Sequence, residues 1–482
     1  MNLIVAFFAV TALAVPAFCQ SLPLAWGPNP TGILGNGSFQ GSVLPRPVGT
    51  NDQLAGLKVV ALASGWLHSA AITEDGRAFI WGESIVGTTS DGTFLNYPSP
   101  MVVDSSGVLA GKVLARLSAG RDFTVALDNA GVAYSWGVNG SGQLGDGTRN
   151  PARSPVAVDT RGILSGVKVL TVASGAYHCL AVTSGGRVAG WGDDTVSQLG
   201  DGGSFGSQRY SPVWTSTNGV LAGVRVVGVA AGEYHSLALS SAGRVYSWGR
   251  NLSGQLGTGN VLNQNFPVAV DVSGVLSNKV IVAITSGLSH CVALSDDGEL
   301  FAWGDNQYGQ LGDGSKVGRV SPVAVRNDGV LSGVKIMSVT SFGAHNLALT
   351  SEGVLVAWGL NSGGRLGDGT VVSSSVPVAV STNSWLSGRT AKILGGGSTG
   401  NHSLVQTIPA PPQLALTSTG AIAQLELRGV SNTLYRIEGS RFNGKGATWS
   451  LVTNVVSDGL GRYRLSQVMQ MDSEFWRGQA IP

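Results

Sequence analysis

With 482 residues, 30 Lys and Arg against 28 Asp and Glu, and a formal charge of +2, the chain has no charge excess to draw it to nucleic acid or to an anionic membrane. Glycine fills 71 positions, about twice the average share, and charged residues make up 12%, about half of it. Such a balance means many turns and argues against both of those partner classes.

The chain opens on an apolar run, Leu3 to Val15, followed by Pro16 and by small residues suited to cleavage after Ala17 or after Cys19. The run is short for a spanning helix, which needs about 20 residues. Residues 1–19 are therefore expected to be a signal peptide, although no Lys or Arg precedes the run. The mature protein is expected to be secreted, periplasmic or cell-surface, with no integral membrane span. Cleavage after Cys19 leaves Cys179 and Cys291, in non-adjacent repeats, which are expected to be buried small apolar residues and not a disulfide.

From residue 20 to 407 the chain repeats. Trp-Gly recurs at Trp26, Trp81, Trp136, Trp191, Trp248, Trp303 and Trp358, at spacings of 55, 55, 55, 57, 55 and 55. A second landmark, read in SGWLHSAAI and SGAYHCLAV, sets His68, His178, His235, His290, His345 and His402 in one register, with Phe123 in the second copy. His402 has no Trp 13 residues after it and Trp26 has no His before it, so a strand near Leu24 to Gly27 is expected to complete the blade that His402 begins. Each copy reads as four short strands, VVALAS, HSAAIT, RAFIWG and PMVV in the first. Four strands per repeat is the propeller pattern. The fourth strand is expected to begin at proline, Pro47, Pro100, Pro155, Pro212, Pro267, Pro322 and Pro377. The fold class is all-β, a seven-bladed propeller closed by the N-terminal strand.

The loop after each Trp-Gly, VNGSGQLGDGT at 138–148 for example, together with SGxxHSLAL, resembles the regulator of chromosome condensation repeat family. The resemblance spans residues 24 to 407 and implies a seven-bladed propeller. The family includes a secreted propeller that inhibits β-lactamases, and a guanine-nucleotide exchange factor for a small GTPase.

Six histidines invite a metal reading, since imidazole is the commonest metal ligand. Equivalent points in separate blades cannot converge on one ion, and Phe123 fills the same place with an apolar ring, so structural hydrogen bonds are expected, with neither metal nor cofactor. GGSTG at 396–400 matches a nucleophile-elbow pattern, yet a strand and not a helix is expected after it. Asp146, Asp201, Asp313 and Asp368 lie in Gly-Asp-Gly turns that each offer one carboxylate, where calcium wants about six to eight oxygens. The informative positions vary inside the fixed frame: Trp66, Arg121, Asp122, Tyr177, Glu233 and Tyr234, between the Gly and His of successive copies, mix aromatic and charged residues as binding hot spots do. Phe205, Arg209 and Tyr210, in a loop two residues longer than its counterparts, form a second candidate patch.

IPAPPQ at 408–413 reads as a linker. Residues 414–482 alternate apolar and polar positions and carry Trp449 and Trp476 as core anchors, as expected of a small β-sandwich. The expected function is that of an exported, non-enzymatic scaffold holding a protein or a cell-surface polymer on one propeller face, with inhibition of another protein as a concrete form; the alternative is an exchange-factor-like regulator of a small GTPase.

Overall fold

The computed structural model describes residues 21–49, 53–88, 94–203 and 206–409, with side-chain surroundings outside 84–95, and the backbones of strands in the two terminal segments. Residues 22–409 form seven four-stranded antiparallel sheets. Blade 1 comprises Val59–Ser64, His68–Thr73, Ala78–Thr88 and Phe94–Val102, and blades 2 to 6 repeat that order. Blade 7 is composite: Arg389–Gly395 and Ser403–Pro409 are followed in space by Leu22–Gly27 and Ser42–Pro47, with Trp26 opposite Ser403. The N-terminus thus supplies two strands to the closure, one at each of the landmarks Trp26 and Pro47.

The second strand of each complete blade is buried at nearly every position, as in HSAAIT and HCLAVT, because neighbouring blades cover both of its faces. All seven repeat tryptophans are at most 3% exposed. Their burial stabilises by about 1.5–3 kcal/mol each. Most also cross to the preceding blade: the indole N–H of Trp191, Trp248, Trp303 and Trp358 donates to the carbonyl of Gln143, Gln198, Gln255 and Gln310 at 2.9–3.1 Å. Trp26 and Trp81 do the same to Arg365 and Ile33, both at 2.8 Å, and Trp136 has no such acceptor among the described residues. The glycine two residues beyond the acceptor makes room for the ring. At Gly312, φ is +66° and a Cβ would lie 2.9 Å from Trp358 Cδ1. Gly312→Ala is expected to cost about 1–3 kcal/mol, through a left-handed backbone and overpacking together, read as a lower urea midpoint.

The histidines hold the same seams. Nε2 of His68, His178, His290 and His345 hydrogen-bonds Thr124 Oγ1, Ser236 Oγ, Asn346 Oδ1 and Ser403 Oγ of the next blade at 2.8–3.0 Å. His235 meets Ser286 Oγ at 2.8 Å, and His402 closes the circuit on Ser69 Oγ at 2.6 Å. Phe123 and Cys179 belong to one apolar cluster, so the seam that lacks the imidazole is held by packing. Cys179 and Cys291 are free and buried.

The proline expectation needs correction. Pro155, Pro267, Pro322 and Pro377 are the fourth residue of their strands, Ala152–Ala157, Gln264–Ala269, Arg319–Ala324 and Ser374–Ala379. Each lies where the register shifts, as between Ser135↔Val156 and Gly137↔Ala152. A bulge on an outer strand asks for no N–H from the residue inside it, so proline fits the bulge as well as a strand start.

The strands described in the two terminal segments, before Leu22 and after Pro409, form a separate unit. It contains two three-stranded sheets: Gln413–Thr419, Ile422–Arg428 and Arg462–Leu465 in one, Phe7–Ala12, Leu434–Phe442 and Ala447–Val456 in the other. Phe7–Ala12 falls inside the run read as a signal peptide and pairs with Leu434–Phe442 in the full chain. Of the segment 408–413 read as a linker, 408–409 end the strand Ser403–Pro409, Gln413 opens the strand Gln413–Thr419, and 410–412 lie outside the described residues. The surroundings of Trp449, and all of Trp476, lie outside the described residues.

Candidate functional site

In every blade, the turn between the first two strands and the loop between the last two emerge on the same face, since consecutive strands are antiparallel. A belt of inter-blade backbone hydrogen bonds fixes the first turn. Trp66 N–H donates to Arg121 O, Arg121 N–H to Ala176 O, Ala176 N–H to Gly232 O and Glu233 N–H to Leu288 O, at 3.0–3.3 Å. Leu288 N–H continues to Gly343 O and Gly343 N–H to Gly400 O, both at 2.9 Å. A second tie joins the two kinds of loop: except at Pro28, which has no N–H to give, the residue after Trp-Gly donates its N–H to the carbonyl just before the repeat histidine or Phe123. Glu83 bonds Leu67 at 2.7 Å, and Val138 bonds Asp122, Arg250 bonds Tyr234 and Asp305 bonds Ser289 at 2.9 Å. Variable positions of two kinds therefore lie side by side around the mouth of the ring.

On blades 1 to 4 these positions form one run of stacked rings and guanidiniums. Arg121 Cζ lies 5.3 Å from the Trp66 ring and 5.7 Å from the Tyr177 ring, and its Nη1 donates to Tyr177 Oη at 2.6 Å. The Tyr177 and Tyr234 ring centroids are 5.7 Å apart at 32°, and Arg250 Cζ lies 5.5 Å from Tyr234. Asp122 pairs with Arg121 at 3.5 Å. Burial raises the Glu233 carboxyl above its ordinary range while Arg250 and Arg121 hold it down, and burial likewise raises Asp122 against the pull of Arg121. The six candidate residues thus belong to one patch. They are half-buried by one another, not freely exposed as their loop positions suggested.

Arg250 was not among the candidates, although its place directly after Trp-Gly is a variable position that the repeat exposes to view. Beside this run a pocket of about 420 Å³ takes in Trp66, Glu233 and Leu288 together with Tyr308, Leu360 and Arg365. The second candidate patch is not continuous with it in chemistry. Arg209 is committed to Asp201 at 2.7 Å, Tyr210 lies under Arg149 at 5.6 Å, and Phe205 lies outside the described residues.

GGSTG has a structural use that the repeat pattern concealed. Blade 7 runs 11 positions from Ala391 to His402, where blade 1 runs 9 from Val59 to His68. The extra segment crosses the axis: Ser398 Oγ donates to Ser174 O of blade 3 at 3.1 Å, while Gly396 and Gly397 press on Thr340 of blade 6 and Ser64 of blade 1. A strand, Ser403–Pro409, follows it. The aspartates of the Gly-Asp-Gly turns serve their own loops. Asp146 accepts from the N–H and hydroxyl of Thr148 at 2.9 Å, and Asp313 pairs with Arg319 at 2.9 Å.

Comparison with known proteins places the chain. The RCC1-like domain family matches residues 23–405. The ultraviolet-B receptor UVR8 of Arabidopsis thaliana is 30% identical over 354 residues, 73% of this chain and 76% of the receptor. The human E3 ubiquitin-protein ligase HERC2 is 33% identical over 333 residues, 68% of this chain but 6% of the ligase. Among solved structures, Prp20p from Saccharomyces cerevisiae superposes with a TM-score of 0.68 at 23% identity, covering 83% of this chain and 93% of Prp20p. That likeness concerns the fold. Seven blades, their Trp and His seams and the family match agree: the chain belongs to the RCC1-like domain family.

Proposed function

We propose that the protein is a non-catalytic scaffold, exported by its N-terminal segment, that binds another protein through the loop-bearing face of the propeller. The single observation that carries this reading is the Trp66, Arg121, Tyr177, Tyr234 and Arg250 run, in which rigid aromatic and guanidinium groups are held ready by one another before any partner arrives. Pre-organised side chains of these types lose little freedom on binding, which is why they dominate hot spots. The relatives support a protein partner: Prp20p is described with binding properties to Gsp1p and histones, and the yeast protein is also known bound to Kap60. Inhibition of a bound enzyme is one concrete form of this activity.

The test is capture from culture medium or periplasm on the immobilised protein, set against Trp66→Ala/Tyr177→Ala/Tyr234→Ala. The triple variant is expected to lose its specific partner, with affinity down about 100-fold or more, while its melting temperature stays near the parent's. Equal capture by a well-folded triple variant removes this face from consideration.

A further inference from the structure

We infer that Arg365 forms a subsite for an aspartate or glutamate side chain on the partner protein. The inference rests on the protein-binding reading above and refines it. Position 365 is a departure from the repeat: glutamine stands there at Gln143, Gln198, Gln255 and Gln310. Those glutamines have a local task, accepting through Oε1 the N–H of Ser141, Val196, Ser253 and Tyr308 at 2.8–3.0 Å. The main-chain task at this position is to receive the next blade's Trp and the residue after its histidine. The Arg365 carbonyl performs it for Trp26 and Ser403, both at 2.8 Å, so the fold makes no demand for a guanidinium here.

Arg365 is nonetheless a buried residue, at 9% exposure, and lines the pocket with Trp66, Leu288, Tyr308 and Leu360. Its hydrogen bonds go to neutral oxygens, the Ser362 carbonyl and Asn401 Oδ1, and no described carboxylate pairs with it. Other partly buried arginines do have acids, Arg209 with Asp201 and Arg319 with Asp313. Burial without a counter-charge lowers the Arg365 pKa to about 10. A buried cation in this state favours an incoming carboxylate, with the fork able to hold it in bidentate fashion. The two acids that line the same pocket are already engaged. Glu233 faces Arg250 and Arg121, and Asp305 accepts from Gln310 Nε2 at 2.9 Å.

A side chain fits better than a chain terminus. Terminal carboxylates are captured by nests of free backbone amides, whereas here Leu288 and Gly343 spend their N–H groups on the belt and Gly400 donates its own to the Gly397 carbonyl at 2.8 Å. The surroundings suit a protein carrier and not a free anion. On the same face, the loops of blades 4, 5 and 6 present Leu262, Val317 and Val372 at 66%, 62% and 71% exposure, where blade 2 presents Arg149 and Asn150.

The experiment follows tryptophan emission during titration with acetyl-Gly-Glu-Gly-amide, its Gln analogue and acetyl-Gly-Leu with a free C-terminus, on the parent, Arg365→Gln and Arg365→Lys. The Glu peptide is expected to give a saturable response in the parent, about ten-fold or more weaker for its Gln analogue and for Arg365→Gln. Arg365→Lys is expected to fall between. Arg365→Gln restores the residue of the other blades and removes a buried charge, so it is expected to melt at or above the parent temperature. No saturable response to the Glu peptide, equal binding of the Gln peptide or undiminished binding by Arg365→Gln overturns the subsite. Tighter binding of the free C-terminus overturns the side-chain assignment. Retained partner capture by the parent, with loss in Tyr177→Ala/Tyr234→Ala, would leave the protein-binding reading standing after any of these failures.

Discussion

Acidification from about pH 6.5 to about pH 5 is expected to unfold the propeller cooperatively, because its six buried histidines stay neutral in the fold and take up protons once it opens. Burial holds His68, His178, His235 and His402 down to about 3, and lowers His290 and His345 as well. Nδ1 of His178, His235, His290 and His345 has no partner among the described residues, so a proton added there would bury an unpaired charge. A depressed histidine binds its proton more readily in the unfolded chain. Its contribution is therefore fully present above about pH 6.5 and is lost as pH falls toward about 3. In that window each of the four histidines held near 3 costs about 1.4 kcal/mol per pH unit, roughly 5–6 kcal/mol per unit together, against a typical net stability of about 5–15 kcal/mol. Asp194, pushed up to about 6 chiefly by burial, acts in the opposite sense between about 3.8 and 6, as do Glu83, Asp122 and Glu233, also raised chiefly by burial, but the histidines outnumber them. Circular dichroism against pH should show a steep transition near pH 5; a melting temperature that is level from pH 7 to pH 4.5 would contradict the account. His178→Phe/Ser236→Cys copies the Phe123 and Cys179 seam into the next pair of blades. It should keep the fold and take up about one proton fewer on acid unfolding.

Deleting residues 21–35 is expected to open the ring. The deletion removes Leu24, Trp26, Ile33 and Leu34, all fully buried, and strips Ser403–Pro409 of its neighbour strand. It also removes the Ile33 carbonyl, which receives both Trp81 Nε1 at 2.8 Å and Ser69 Oγ at 2.9 Å in blade 1. Four large buried side chains contribute about 6–12 kcal/mol, the size of the whole net stability. The truncated chain should show no cooperative melt and rapid proteolysis across the former propeller. A truncated chain that melts like the parent would mean the closure is not built from these strands.

Much of the architecture was legible because each seam is written repeatedly. A Trp 13 residues after a His marks two strands in register, and the copy that lacks one or the other marks the closure. The place of the prolines inside their strands was not legible, since it depends on pairing between two segments and not on the pattern of either. The candidate patch was legible as variation inside a fixed frame. Arg250 and Arg365 were missed for one reason: each belongs to a loop whose neighbour lies on another strand or another blade.

The sequence by itself determined the seven blades and the repeated Trp and His positions, because a repeated environment imposes the same residue each time. Only the tertiary structure decided that Arg121 stacks between Trp66 and Tyr177, that blade 7 sends Ser398 across the axis to Ser174, and that Arg365 lies buried without an acid. Those outcomes depend on which blades meet when the ring closes, and a departure from the repeat acquires its meaning only from the neighbours that closure brings to it.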